Sequence, residues 1–493
     1  MQLRPTSPAP RALAEVLGAV PGLTARGSLE GVLVSGCTHD SREVEAADLY
    51  AALPGEHTHG AGFVGQARQA GAVAVLTDPG GAAQAGDDLP VLVAEDPRAV
   101  LGAVASWVHG HPSHALTVLG VTGTNGKTTT AFLLDAGLRA AGHRTGLIGT
   151  VLTRVGDEEV PSRHTTPEAT DLHALFAVMR ERGVTAVAME VSSHALALGR
   201  VDGVRFDTSV FTNLSQDHLD FHADMEDYFL AKASLFTPER SARGVVNADD
   251  AAGRRLLAAP VIPLVAYGED APFRAESVRS GPDGSAFELV GPGGAVAASV
   301  QLPGDFNVSN AVGALACLVT AGVPVLDAVR GVAELPGVPG RMERVDAGQP
   351  FTALVDYAHT PDAVRTLLRT VRAVTTGRVL VVLGCGGDRD RGKRPLMGRA
   401  AVEGADVAVL TSDNPRSEDP SAILAEMAQP GALVEPDRRA AIALAVAEAR
   451  PGDTLVVAGK GHETGQDVAG VVTPFDDRLV LREALEARLR APA

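Results

Sequence analysis

Apolar positions along the chain fall into short, near-continuous runs, each followed by a glycine-rich or polar break and then a stretch of helical spacing. From about residue 30 to 110, runs such as Ala72-Val73-Ala74-Val75-Leu76 alternate with Ala-rich helical segments, the texture of a small α/β unit. HPSH at 111–114 is a polar break. LTVLGVTG (116–123) then reads as a buried strand running directly into a glycine turn and a helix, TTTAFLLDAGLRAAG. Further strands are expected at 185–191, 208–214 and 244–249. Between 273 and 303 the texture changes to two alternating runs, SAFELV and AVAASVQL, split by GPGG, which predicts a hairpin. Another α/β series begins near GVPGRMER (337–344), with strands expected at 352–358, 378–387, 405–411 and 453–461. Strands separated by helices predict parallel sheets covered on both faces. The expected fold class is therefore α/β in three domains: a small N-terminal α/β domain (1–113), a central parallel-sheet domain (114–337) and a C-terminal Rossmann-like α/β domain (338–493).

Length supports that division, because 493 residues exceed what one hydrophobic core sustains. With 45% apolar and only 4% aromatic residues, the cores must be built from Ala, Val and Leu. Lys plus Arg number 43 against 60 for Asp plus Glu, a net charge of −17. That balance argues against nucleic acid or a membrane surface as partner. An anionic small molecule is still compatible, since backbone N–H groups and a few cations can hold phosphate inside an acidic protein. Cys37, Cys317 and Cys385 lie far apart with no metal-ligand spacing, as expected in a reducing compartment. Glu15 interrupts the N-terminal apolar stretch, so no signal-peptide core is read there. No run approaches the ~18 apolar residues of a membrane span. A soluble cytoplasmic protein is expected.

VTGTNGKTTT (121–130) carries the strongest chemical signal. A strand, a glycine-rich turn and a helix starting near Lys127 surround a phosphate with N–H groups. Lys127 suits β/γ-phosphates and the Thr128 hydroxyl suits Mg²⁺. Val121 stands where the general pattern has Gly, so the loop is a variant spanning Gly123, Thr124, Asn125, Gly126, Lys127 and Thr128. MEVSSHAL (189–196) puts Glu190 at a strand tip, where a carboxylate can hold Mg²⁺; the same stretch also reads as a helix-capping cluster. TNLSQDHLDFH (212–222) offers His218 as a second cation ligand or as an ordinary surface or core histidine. DYFLAKASLF brings Lys232 on an amphipathic helix, where a solvated lysine is the plain reading. Asn307 and Asn310 in GDFNVSNAVGALA either cap a helix or reach a base or ribose. In the last block, four strand ends carry Asp356, Arg389, Asn414 and Glu463. Ligand groups gather at such ends in open α/β sheets. TSDNPR (411–416) lines up Asp413, Asn414, Pro415 and Arg416: either an ordinary polar turn or a stiffened holder for a small zwitterion.

Taken together, TGTNGKTT, EVSSHAL, TNLSQDHLD, YFLAKASLF, FNVSN, GVPGRME, VDYAHTPDA, GCGGDRDRGKRP, DNPR and GKGHE resemble the Mur ligases, ATP-dependent amide-forming ligases of peptidoglycan precursor assembly. TTP (165–167) and DSR (40–42) extend the resemblance over almost the whole chain. It implies that Ser41, with the Glu56-His57-Thr58 stretch, contacts the UDP end of UDP-N-acetylmuramoyl-L-Ala-D-Glu, and that Thr165, Thr166, Ser192 and Arg200 hold its sugar-peptide portion. Gly123 to Thr129 would cradle ATP, with Asn307, Asn310, Arg341 and Asp356 near the nucleotide. Thr128, Glu190 and His218 would bind Mg²⁺, joined by Lys232 as a CO₂-derived carbamate, since an ammonium repels the cation. Lys127, Glu190, His218 and Lys232 would form the catalytic set. Arg389, Asp413, Asn414, Pro415, Arg416, Gly459 and Glu463 would form the amino-acid pocket. There Arg416 suits the distal carboxylate of meso-diaminopimelate and Glu463 suits its ammonium. Leu198, where some relatives have Gln, and His164, where others have Asn, depart from the pattern on the nucleotide-substrate side.

The implied reaction joins a diamino acid to the D-Glu γ-carboxylate through an acyl phosphate, releasing ADP and phosphate. A monomer is expected, with ATP, the UDP-linked dipeptide and the diamino acid as its small-molecule partners. Lysine or ornithine as acceptor is the alternative. A folylpolyglutamate-type ligase or the ligase adding D-Ala-D-Ala shares the ATP core, but DNPR and GKGHE argue against both. A P-loop switch that hydrolyses nucleotide without making a bond has no use for the C-terminal strand-end cluster.

Overall fold

In a computed structural model of the chain, residues 3–55, 57–160 and 164–490 are described. Three sheets of five, eight and six strands organise the molecule. In the first, Val91–Val93, Ala74–Thr77, Asp48–Ala51 and Gly36–Thr38 run parallel, and Thr24–Arg26 adds an antiparallel edge.

The eight-stranded sheet is centred on Thr117–Thr122, flanked by Ala186–Glu190 and Thr208–Phe211, both parallel to it. Gly244–Asn247 and Leu264–Tyr267 continue the parallel side. Beyond Ala186–Glu190 and Thr145–Ile148, however, Thr153–Val155 and Glu158–Val160 add an antiparallel ribbon, so the sheet is mixed rather than purely parallel. One apolar cluster covers one face of this sheet. It joins Leu119 and Val121 to Leu133, Leu134 and Leu138 of helix Lys127–Ala140 and to Leu315 of helix Asp305–Thr320. A second cluster, with Phe176 and Met179 of helix Ala169–Glu181, covers the other. Burial on both faces is why these strands read as continuous apolar runs.

The alternating segment is a three-stranded meander rather than a two-stranded hairpin. Gly284–Gly291 and Gly294–Val300 pair as expected, and Arg274–Gly281 adds an edge. Most of that edge strand is exposed and polar, so no apolar alternation marks it.

The six-stranded sheet runs Glu343–Arg344, Thr352–Asp356, Thr454–Ala458, Val379–Cys385, Val407–Ser412, Leu433–Val434. All its pairings are parallel except that of Glu343–Arg344. Two of its helices start on side-chain caps followed by proline, Thr360-Pro361 and Asp419-Pro420. That pairing satisfies an orphan N–H and presets φ. In both large sheets the parallel register brings the carboxyl ends together: Thr122, Glu190 and Phe211 in one, Asp356, Cys385, Ser412 and Ala458 in the other. No helix among the described residues is long and apolar enough to cross a membrane.

Candidate active site

The two sets of strand ends face one cavity of about 700 Å³, within the size range of small-molecule sites. Its walls come from the central and C-terminal blocks. They include Thr124 to Thr129, Thr165, Thr166, Glu190, Ser192, Arg200, His218, Lys232, Asn307, Asn310, Arg341 and Asp356. On the C-terminal side they include Arg389, Asp413, Asn414, Arg416, Gly459 and Glu463. Five expected site residues among the described ones are not in the wall, His57 and Thr58 of the first block with Gly123, Pro415 and Ser41. Gly123 acts through its carbonyl, Pro415 shapes the turn behind Arg416, and Ser41 lies in the first sheet's block, its hydroxyl 3.3 Å from Gln66 Oε1. Glu56 lies outside the described residues.

The phosphate loop is fixed by close approach. Gly126 has φ +88°, and a Cβ there would lie 2.4 Å from Asn310 Oδ1. At Gly123 a Cβ would lie 1.9 Å from Thr212 Oγ1, so only glycine fits. Asn310 thus presses on the loop, while its Nδ2 donates to Asn307 Oδ1 at 3.2 Å and Asn307 Nδ2 donates to Pro303 O at 2.9 Å. The two amides tie the helix start to the loop.

Lys127 Nζ donates to Gly123 O and Thr124 O, both at 2.9 Å, and Lys232 Nζ donates to the same Gly123 O at 2.8 Å. Two ammonium groups cannot share one buried carbonyl without repulsion. Burial, followed by the charge on Lys127, drives Lys232 well below the ordinary lysine range, and burial lowers Lys127 as well. Lys232 also sits 4.4 Å from the Tyr228 ring centroid. A neutral buried amine is the form that reacts with CO₂, so Lys232 fits the carbamate.

Glu190 is buried, its Oε2 accepting from Thr128 Oγ1 at 3.0 Å and Thr150 Oγ1 at 3.1 Å, its Oε1 from Thr150 N at 2.8 Å. Arg341, from the connection to the last block, donates to Thr128 Oγ1 at 2.9 Å and lies 4.4 Å from the Tyr357 ring centroid. Among the described residues no group of three or more His, Cys, Asp or Glu is poised to hold a metal. One carboxylate beside a threonine hydroxyl instead fits Mg²⁺, which keeps water and substrate phosphate in much of its shell. Burial lowers His218 to about 3, leaving a neutral imidazole able to coordinate. Thr166 Oγ1 donates to Glu190 O at 2.9 Å and accepts from Ser192 N at 3.1 Å, while Ser192 Oγ caps helix Ser193–Ala197. The EVSSHAL stretch thus caps a helix through Ser192 while Glu190 and Ser192 also line the cavity.

Asp217, from the central block, lies 3.3 Å from Lys393 and 3.7 Å from His359, both on the C-terminal block. Burial pushes its carboxyl up, but His359, Lys393 and His218 overcome that and hold it well below the usual range. This inter-block pair went unread in the sequence; GKRP and YAHT are its only local marks. Asp356 lines the cavity, and its carboxylate accepts from Met342 N and Ala358 N, both at 2.8 Å. Across the cavity, Asn414 Nδ2 donates to Glu463 Oε2 at 2.7 Å, and Arg416 Nη1 donates to Gly387 O at 2.5 Å.

A nucleotide-phosphate loop on one sheet facing a carboxylate-and-guanidinium pocket on another is the arrangement of an ATP-coupled ligase, and the chain belongs to the Mur ligase family. Residues 33–107 match the Mur ligase family catalytic domain, 121–318 the Mur ligase middle domain and 340–461 the Mur ligase glutamate ligase domain. It is 57% identical over 499 residues to the UDP-N-acetylmuramoyl-L-alanyl-D-glutamate–2,6-diaminopimelate ligase of Streptomyces avermitilis, covering 98% of each chain. To the enzyme of the same name from Streptomyces coelicolor it is 59% identical over 469 residues, covering 92% of each. A solved structure of a ligase of that name superposes with a TM-score of 0.66 at 34% identity, over 94% of this chain and 97% of that one.

Proposed function

We propose that the chain is an ATP-dependent ligase, acting in the cytoplasm, that joins meso-2,6-diaminopimelate to the D-Glu γ-carboxylate of UDP-N-acetylmuramoyl-L-Ala-D-Glu. The observation that carries this reading is one cavity lined by both Lys127 and Arg416. Blocks 1–113, 114–337 and 338–493 then bind the UDP end, ATP and the amino acid respectively.

The γ-carboxylate attacks the γ-phosphorus of ATP, ADP leaves, and an acyl phosphate forms. The acceptor amine attacks its carbonyl carbon and loses a proton; the C–O bond to phosphate breaks as the amide forms. The difficulty is to bring two anions together away from water. Loop N–H groups from Gly123 to Thr129 and the Lys127 ammonium neutralise phosphate charge. Thr128, Glu190 and His218, with the Lys232 carbamate, would hold Mg²⁺, which supplies further neutralisation of the phosphate oxygens. Asn307, Asn310 and Arg341 steady the nucleotide, and Thr165, Thr166, Ser192 and Arg200 steady the peptide arm. Arg416 takes the acceptor's distal carboxylate and Glu463 its ammonium, with Arg389, Asp413, Asn414 and Gly459 completing the pocket. Closure of the C-terminal block excludes water from the acyl phosphate.

Acceptor profiling of the purified enzyme with ATP and the UDP-linked dipeptide tests this. Diaminopimelate is expected to give the highest kcat/KM, with stoichiometric ADP and phosphate. A preference for lysine or ornithine would overturn the acceptor assignment, and ATP turnover without any acceptor would overturn the ligase.

A further inference from the structure

Beneath the acceptor pocket lies a second buried lysine. Lys460 is 0% exposed, and its ammonium donates to Asn414 Oδ1 at 3.0 Å, Glu463 Oε2 at 3.1 Å and Gly465 O at 2.7 Å. An ammonium has three N–H donors, and all three are used, so none is left for a ligand. Each acceptor belongs to a different piece of the pocket. Asn414 is in the turn that carries Arg416, Glu463 is in the loop after strand Thr454–Ala458, and Gly465 opens the hairpin Gly465–Val468/Val471–Pro474.

That hairpin belongs to none of the large sheets, and its tip is exposed, with Val471 63% and Val472 66% accessible. It is instead laced to the Arg416 turn. Asp467 N donates to Asn414 Oδ1 at 3.0 Å, Gln466 Nε2 to Asp413 O at 2.6 Å, Arg416 N to Asp467 O at 3.0 Å and Ala469 N to Arg416 O at 2.6 Å. Arg416 sits at φ +51°, a left-handed conformation uncommon for a residue with a side chain. Such a conformation persists where its surroundings over-determine it, and the hairpin bonds on both sides of Arg416 do that.

We propose that Lys460 is a positioning residue for acceptor choice. Without touching substrate, it holds Glu463 in place and docks the 465–474 hairpin, which in turn sets the backbone of Arg416. One buried cation therefore ties the Arg416 turn and Glu463 to each other. This rests on the acceptor reading above. A lysine that only stabilised the fold would lower the amount of active enzyme and leave the remaining molecules with unchanged acceptor preference.

Steady-state kinetics of Lys460→Met, with each substrate varied in turn, distinguishes the two roles. The acceptor KM is expected to rise about tenfold or more, equivalent to about 1.4 kcal/mol of lost binding. The ATP KM should stay within about twofold, and the ratio of kcat/KM for diaminopimelate over lysine should fall as Arg416 loses its fixed backbone. An unchanged ratio with an unchanged acceptor KM, or equal losses for acceptor and ATP, overturns the proposal. Should Lys460→Met not fold, Gln466→Ala removes a hairpin tether while keeping the buried cation. A rise of about threefold in acceptor KM supports the clamp, and no rise overturns it. The wild-type control separates this test from the parent reading. If wild type prefers lysine, the diaminopimelate assignment fails, and the Lys460 effect is then read on the KM of the preferred acceptor.

Discussion

Lys232 and Lys460 are both sealed from solvent, yet they are opposites. Lys460 meets three acceptors, one of them the carboxylate of Glu463. Among the described residues Lys232 meets no carboxylate, only a carbonyl shared with Lys127 and the face of Tyr228. A buried charge is tolerated when paired and hydrogen-bonded; an unpaired one gives up its proton instead. The contrast divides the cavity by chemistry. Beside the phosphate loop the buried amine of Lys232 has no carboxylate partner, the setting that suits the carbamate proposed above. Beside the Arg416 turn Lys460 instead ties Asn414, Glu463 and Gly465 together.

The largest effect expected from breaking this contrast is at Lys232. Lys232→Ala should lower kcat by at least about a hundredfold, the scale of losing one preorganised electrostatic group. Short carboxylic acids such as acetate or formate should restore part of it by standing in for the carbamate. Full activity in the variant would mean that the carbamate has no role in turnover.

Arg416→Ala acts on the other end and should be smaller. Losing one charge-assisted partner is worth about 1.5–3 kcal/mol, or roughly ten- to a hundredfold in acceptor KM. ATP binding should change little, so titration of both substrates against the variant reads the assignment directly; equal losses for both would contradict it.

The smallest effect lies away from the cavity, at His109 and His173, each with a buried ring nitrogen that has no hydrogen-bond partner among the described residues. Burial lowers His109 to about 3 and His173 to about 4. In the unfolded chain both titrate near ~6.5, so as pH falls the unfolded state takes up their protons first. Stability is therefore fully present above about pH 6.5 and is lost as pH falls to about 4 for His173 and about 3 for His109, at about 1.4 kcal/mol per pH unit for each histidine. Urea midpoints measured across that window should fall with pH, and His173→Gln should flatten the slope. A flat wild-type profile would show that neither ring is held uncharged.

What was legible in the sequence were the parts whose cause is local. Strand Thr117–Thr122 shows itself because both its faces are buried, and the loop after it because glycine is required where Thr212 and Asn310 crowd the backbone. Less legible were elements whose partners are remote or whose surface is polar. The edge strand Arg274–Gly281 is exposed along most of its length, and the antiparallel ribbon ending at Glu158–Val160 is short and charged. The site followed the same division. Arg416 and Glu463 lie within short recognisable stretches, whereas Lys460 gains its role from Asn414, 46 residues away, and Asp217 from Lys393, 176 residues away. Nothing in the local pattern of AGKGHETG separates a surface lysine from one enclosed by three acceptors.

In the proposed reaction the carboxyl group of the peptide substrate is phosphorylated at one end of the cavity and captured by the amine held at the other. Supplying the UDP-linked dipeptide with its D-Glu γ-carboxylate labelled in heavy oxygen, together with ATP and diaminopimelate, follows that transfer atom by atom. Acyl-phosphate chemistry predicts one labelled oxygen in each phosphate released, with the other kept in the new amide. Phosphate carrying no label, its extra oxygen drawn from water, would contradict it.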